Sequence, residues 1–153
     1  MKSAAKTYLR FVAMIATSTA VMFGLTYLNS YQVDHVTFSE TRLYMALLMG
    51  ASMAVVMLTF MLHAHSSRRA NLAIYLVSAV VFAGSLWLVR SQATVGQVSY
   101  MKAMIPHHSI AILTSERAQI DDPRVRDLAD RIIEAQIAEI AEMKSLIAEL
   151  EGE

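Results

Sequence analysis

No cysteine occurs among the 153 residues. Disulfides, iron–sulfur clusters and thiolate metal sites are therefore excluded, and cysteine usage carries no information about redox compartment. Charge is scarce as well: 17% of residues are charged and 56% hydrophobic, whereas a soluble domain averages about 25% and about 45–50%. Mean hydropathy is +0.43. Three stretches, roughly 11–28, 43–62 and 71–89, hold no charged residue at all. Also missing are a G-x-S-x-G turn, an H-E-x-x-H helix and a phosphate-binding loop, so no catalytic arrangement emerges and the chain reads as a non-enzyme. Paired Glu-x-x-His motifs, which a di-iron bundle would need, are absent too. The C-terminal half has no basic stripe, which argues against nucleic-acid binding.

Each of the three uncharged runs approaches the ~20 residues that cross about 30 Å of hydrocarbon as a helix. A lipid bilayer is thus the expected surrounding of residues 1–90. The first run begins like a signal peptide, after Lys2, Lys6 and Arg10, but it ends in Thr26-Tyr27-Leu28-Asn29-Ser30 without a small-residue cleavage site. It reads as an uncleaved anchor. Tyr8, Tyr27, Tyr31, Tyr44 and Trp87 sit near the run ends, where an interfacial aromatic belt would lie. Lys/Arg bias places the N-terminus and the Arg68-Arg69 loop in the cytoplasm, with residues 29–42 and everything after Val89 outside. That corresponds to a multi-pass protein of a bacterial inner membrane with an extracytoplasmic, periplasmic C-terminal domain.

Net charge is zero overall, but residues 1–89 carry +4 and residues 90–153 carry −4. The second module begins after a linker at 91–97 and fills 98–153. Helical spacing predicts one helix from near Thr94, through a Thr94–Gln97 capping box, to about Ala118. Pro106 is expected to kink or break it. A second helix opens at Pro123 after Asp121-Asp122. Its apolar positions are Val125, Leu128, Ile132, Ile133, Ile137, Ile140, Leu146, Ile147 and Leu150. The short connection makes an antiparallel hairpin. The predicted fold is all-α: three transmembrane helices, then an amphipathic helical hairpin. So small a hairpin cannot bury its apolar stripes alone. It is expected to pack on the membrane helices or on a second copy, as a homodimer forming a four-helix bundle.

Eleven methionines and five histidines are the only soft or borderline metal donors available. They are densest in Met101-Lys102-Ala103-Met104-Ile105-Pro106-His107-His108. At about 100° per residue, Met101, Met104 and His108 share one helix face and His107 flanks Met104. Thioether selects Cu(I) and imidazole also suits copper, whereas zinc prefers thiolate, imidazole and carboxylate. The same residues read equally as core methionines beside surface histidines. Glu139 and Met143 are neighbours on the second helix, and in an antiparallel hairpin Met143 approaches the 101–108 cluster or is simply core. Met45, Met49, Met53, Met57 and Met61 form a spiral ridge along the second membrane helix, with His63 and His65 beyond it. A thioether path for Cu(I) is one reading; lipid-facing or packing methionine is the plainer one. Gly50, Ala51, Ser52 and Ala54 mark close helix contact. His35, beside Asp34, is either a further ligand or part of a polar loop.

Three stretches resemble a bacterial family known as domain of unknown function 305: Tyr100 to His108, Asp122 to Ala129, and Ile132 to Met143. The resemblance covers about residues 97–150. It implies a ferritin-like helical-bundle fold, the hairpin being half of a four-helix bundle, and a membrane-anchored subgroup. Some periplasmic members bind copper or silver through Met and His and serve metal tolerance. Carried over residue by residue, the implied metal ligands are Met101, Met104, His107, His108 and Met143, and the implied ion is copper(I) or silver. Many members place Asp-Met a few residues after the His pair, where this chain has Leu113-Thr114, so one thioether is missing. The expected function is extracytoplasmic binding of a soft metal in buffering, transfer or tolerance, with a metal-donor or acceptor protein as partner. The rival reading is a structural or oligomerisation protein whose Met/His face only packs. A reporter active only in the periplasm, fused after Glu153, should be active; an expressed but silent fusion would refute the orientation.

Overall fold

The computed structural model describes residues 2–152, with side chains from residue 4; the Lys2 side chain used in the orientation argument lies outside them. Every regular element among the described residues is helical. They are α1 (Lys2–Leu25), α2 (Glu40–Phe60), α3 (Arg68–Ser91), α4 (Gln97–Arg117) and α5 (Pro123–Glu151), with short 3₁₀ turns at Val33–His35 and Leu62–Ala64. The chain forms two compact units: residues up to 25 with 41–94, and residues 26–40 with the segment from 95 onward.

The first unit holds three helices long and apolar enough to cross a membrane, Ala4–Leu25, Glu40–Phe60 and Arg68–Ser91. Within it α2 is the most enclosed, and its buried positions are mainly small: Ala46, Gly50, Ala51 and Ala54, with Leu58. Small residues let helix backbones approach where lipid offers no hydrophobic drive. A Cβ at Gly50 would lie 2.3 Å from the Thr19 hydroxyl oxygen. The methionines of α2 flank this seam: Met45 and Met49 are exposed and the others half-buried. On α3 the buried residues are Asn71, Ser78 and Ser85, one every seven residues. The turn before α3 is tied to α1. The Tyr8 hydroxyl donates to Asn71 Oδ1 at 2.7 Å and accepts from the Ser67 N–H at 3.1 Å. Asn71 in turn donates to the His65 carbonyl at 2.9 Å. His63 is exposed and His65 buried.

The second unit is an α4–α5 hairpin. Lys102–Glu151 at 2.6 Å near one end and Arg126 donating to the Ser115 carbonyl at 3.0 Å near the other fix its antiparallel sense. Asp122 caps α5 by accepting from the Arg124 N–H, and Pro123 occupies its first turn. Gly152 closes α5 at φ 77°, a left-handed conformation that glycine adopts without a Cβ penalty. The expected Thr94–Gln97 capping box is not formed. The cap residue is Gly96, two positions later, and it offers no side chain to the helix. The Thr94 hydroxyl instead meets that of Tyr44 at 2.8 Å.

One expectation needs correction. Pro106 does not break α4, which runs on through it as one helix. Proline removes the N–H that would bond the carbonyl four residues back, here that of Lys102. The Thr37 hydroxyl donates to this carbonyl in its place. The hairpin, expected to need more than itself to bury its apolar stripes, has its core covered in part by the 26–40 segment. Tyr31, expected at the membrane interface, packs with Ile133, Met143 and Ile147 against the buried cluster Ile105, Ile112 and Ile140. Thr37→Val should therefore leave a part-buried carbonyl without this donor and cost about 0.5–1.5 kcal/mol. Pro106→Ala, which restores an N–H, should reduce that cost. Thermal unfolding of the four corners of this double-mutant cycle checks the coupling, and additive effects would refute it.

Candidate functional site

The buried residues of α4 are Met101, Ile105, Pro106, Ser109 and Ile112. At about 100° per residue, the stripe through Met101, Ile105, Ser109 and Ile112 centres roughly 40° past Met101. His108 then lies about 60° from that centre, Met104 about 100° and His107 about 160°. The structure follows this order. Met101 is buried, His108 and Met104 are half-buried, and His107 is exposed.

Met101, His108 and Met143 line one cleft of about 660 Å³, together with Tyr100, Glu139, Glu142, Leu146 and Leu150. Met104 and His107 do not line it, although the rings of His107 and His108 lie 6.0 Å apart, centre to centre. Three of the five residues singled out in the sequence are thus brought together. Met104 shares a helix face with Met101 and His108 by spacing, but the inward turn of Ile105 and Ile112 carries it away from the cleft.

Glu139 joins the group from α5. One of its carboxylate oxygens lies 3.1 Å from His108 Nδ1 and also accepts from Gln136 at 3.1 Å. The His108 contact lacks hydrogen-bond geometry, so Nδ1 is buried without a hydrogen-bond partner. Burial pushes the His108 pKa down, opposed by the Glu139 carboxylate. A neutral imidazole keeps a lone pair available for a metal. The cleft thus offers two thioethers and an imidazole with a carboxylate at its edge. Among the described residues, no three of His, Asp and Glu come close enough together to hold a metal. An ion held in this cleft would therefore have to accept sulfur, a preference of soft cations.

Behind the cleft lies a polar cluster that the sequence only hinted at. The Ser109 hydroxyl accepts from the Tyr31 N–H at 2.6 Å and lies 3.0 Å from His35 Nδ1. A hydroxyl oxygen can accept twice and donate once, so the direction of this bond follows the His35 tautomer. Burial lowers the His35 pKa, with help from Lys144, while Asp34 opposes the shift. Asp34 itself pairs with Lys144 at 2.5 Å. His35 is therefore neither part of a loose loop nor gathered with the cleft donors; it fastens the 26–40 segment to α4.

Residues 91–153 match the family described as Domain of unknown function (DUF305). Over 144 residues the chain is 31% identical to an uncharacterized protein of Acanthamoeba polyphaga mimivirus, covering 90% of this chain and 93% of that one. No solved structure matches it.

His35 and His108 both have folded pKa values below the usual ~6.5. As pH falls below about 6.5, the unfolded chain takes up these protons first, so stability drops with falling pH until the folded rings also titrate. Melting of the second unit, followed between pH 7.5 and 5 (roughly the window of histidine titration), should shift downward. The shift should shrink in His35→Asn and His108→Asn. A pH-independent melt would contradict the assignment.

Proposed function

The chain belongs to the domain of unknown function 305 family, and on that premise we propose that it is a membrane-anchored, extracytoplasmic binding protein for soft metal ions. Cu(I) or Ag(I) is the cargo, and buffering, transfer or tolerance is the purpose. The observation that carries the reading is the convergence of Met101, His108 and Met143 on one cleft, with His108 Nδ1 left without a hydrogen bond. Two thioethers and a neutral imidazole match the softness of a monovalent coinage metal. Glu139 and Glu142 at the cleft add Coulomb attraction for any cation without choosing among them. Met104 and His107, outside the cleft, are outer donors through which an ion arrives from or departs to a partner protein.

The orientation and the ferritin-like reading belong to the same proposal. That residues 26–40 and the segment from 95 onward form one compact unit supports placing both on one side of the membrane, with α2 and α3 as the two crossings between them. With the N-terminus cytoplasmic, that side is extracytoplasmic. The hairpin is half of a ferritin-like bundle.

One observation favours the rival, purely structural reading: Met143 packs against the isoleucine cluster. Titration of the full-length protein in detergent with Cu(I), against a competing chelator, separates the two. Binding should weaken at least ~100-fold in Met101→Leu/Met143→Leu, the scale on which loss of ligands or their supports acts, with melting little changed because Leu and Met have similar volumes. Failure of the unaltered protein to compete, or equal binding by the double variant, would leave the packing role.

A further inference from the structure

We infer that the open face of α5 is a contact surface for a second copy of this chain, packed antiparallel about a two-fold axis between residues 136 and 137. Val125, Leu128, Ile132, Leu146 and Leu150 remain 36–51% exposed. They fall within about 60° of one another around α5. The side of α5 that packs on α4 is a different one, marked by buried Ala129 and Ile140. An exposed apolar stripe of this kind, interrupted midway by Gln136 and Glu139, marks an interaction surface.

Charge selects the occupant. Along one flank of the stripe, within about 20° of one another, lie Arg124 and Arg131 in the first half of the helix and Glu142 and Glu149 in the second. In a parallel pairing about a two-fold this flank would face the partner's opposite flank, the side marked by Ala129 and Ile140 that packs on α4, and none of the four would find an opposite charge there. In the antiparallel pairing Arg131 meets the partner's Glu142, Arg124 meets the partner's Glu149, and the two-fold axis repeats both contacts. In the single chain the two arginines pair only with exposed acids of their own helix end, Asp122 and Asp127, and these remain free to share them. Such exposed pairs fix register more than they add affinity; the apolar stripe supplies the drive.

The polar interruption of the stripe is already satisfied. Gln136 donates to Glu139, and His108 lies against the same carboxylate. In this register the partner's Leu128 and Ile132 come down beside Met143 and Leu146, roofing the cleft that those two residues help to line. That roof would exclude water from a bound ion, a consequence that rests on the metal reading above; the dimer does not.

The absence of cysteine makes the test direct. Full-length Arg131→Cys and Glu142→Cys chains, differently tagged and co-expressed, are treated in detergent without metal with a short bismaleimide. The mixed pair should cross-link at least ten times more than either variant alone, since like positions stand about 16 Å apart along the axis in this register. Glu142→Arg should abolish the dimer in sedimentation, and Arg131→Glu in the same chain should restore it. Strong cross-linking of a single variant with itself would overturn the antiparallel register. A monomer in sedimentation that cross-links in no combination would overturn the dimer and leave the stripe to lipid. Cu(I) competition by the unaltered protein, whose Glu142 is intact and which has no cysteine, reports separately on the metal reading.

Discussion

Ile105, Ile112 and Ile140 meet between α4 and α5, and the rotation of α4 that their burial demands decides where every donor on that helix points. With the isoleucines inward, Met101 is carried to the edge of the seam, His108 to its rim, Met104 farther round and His107 into solvent. A rotation by one residue, about 100°, would expose a different set. The chemistry of the cleft is in this sense a by-product of aliphatic packing. No hydrogen bond among the described residues holds His108 to Glu139; what keeps the two within 3.1 Å is the packing of the helices that carry them.

The same seam depends on a segment remote in sequence. Tyr31, His35 and Thr37 lie some seventy residues before their partners, yet they fasten to Ser109 and Lys102. Each contact answers a local deficiency of α4. The Ser109 hydroxyl would otherwise be a buried polar group facing apolar neighbours, and the Lys102 carbonyl would lack the donor that Pro106 removed. Lone polar groups in such places are costly, so the segment and the helix are complementary in detail.

Much of this architecture was legible in the sequence. Uncharged runs announced α1 to α3, Asp122-Pro123 announced the start of α5, and period-3.6 spacing announced the hairpin. The ends of these three long apolar helices were less legible. Polar and charged residues continue a helix for several positions at no hydrophobic signal, so α1 starts at Lys2 and not near Phe11. The start of α4 was displaced because Gly96, which carries no side chain to advertise a cap, took the position assigned to Thr94. Of the three donors that angles alone put on one face of α4, Met101 and His108 line the cleft and Met104 does not. Separating them required knowing which face the core would claim, and the role of His35 required a contact across 74 residues of sequence. Glu139 was visible as a neighbour of Met143, but only the approach of His108 places it at the cleft.

Because Pro106 borrows its missing donor from Thr37, the C-terminal hairpin is not a self-sufficient piece. Cutting the chain near residue 91 to obtain a soluble fragment would strip α4 of Thr37, His35 and Tyr31 at once and uncover the isoleucine seam. A rearranged gene that places residues 26–40 ahead of residue 95 through a short flexible tether would keep the stitching intact. It would also let the cleft be handled in water, free of the three long apolar helices.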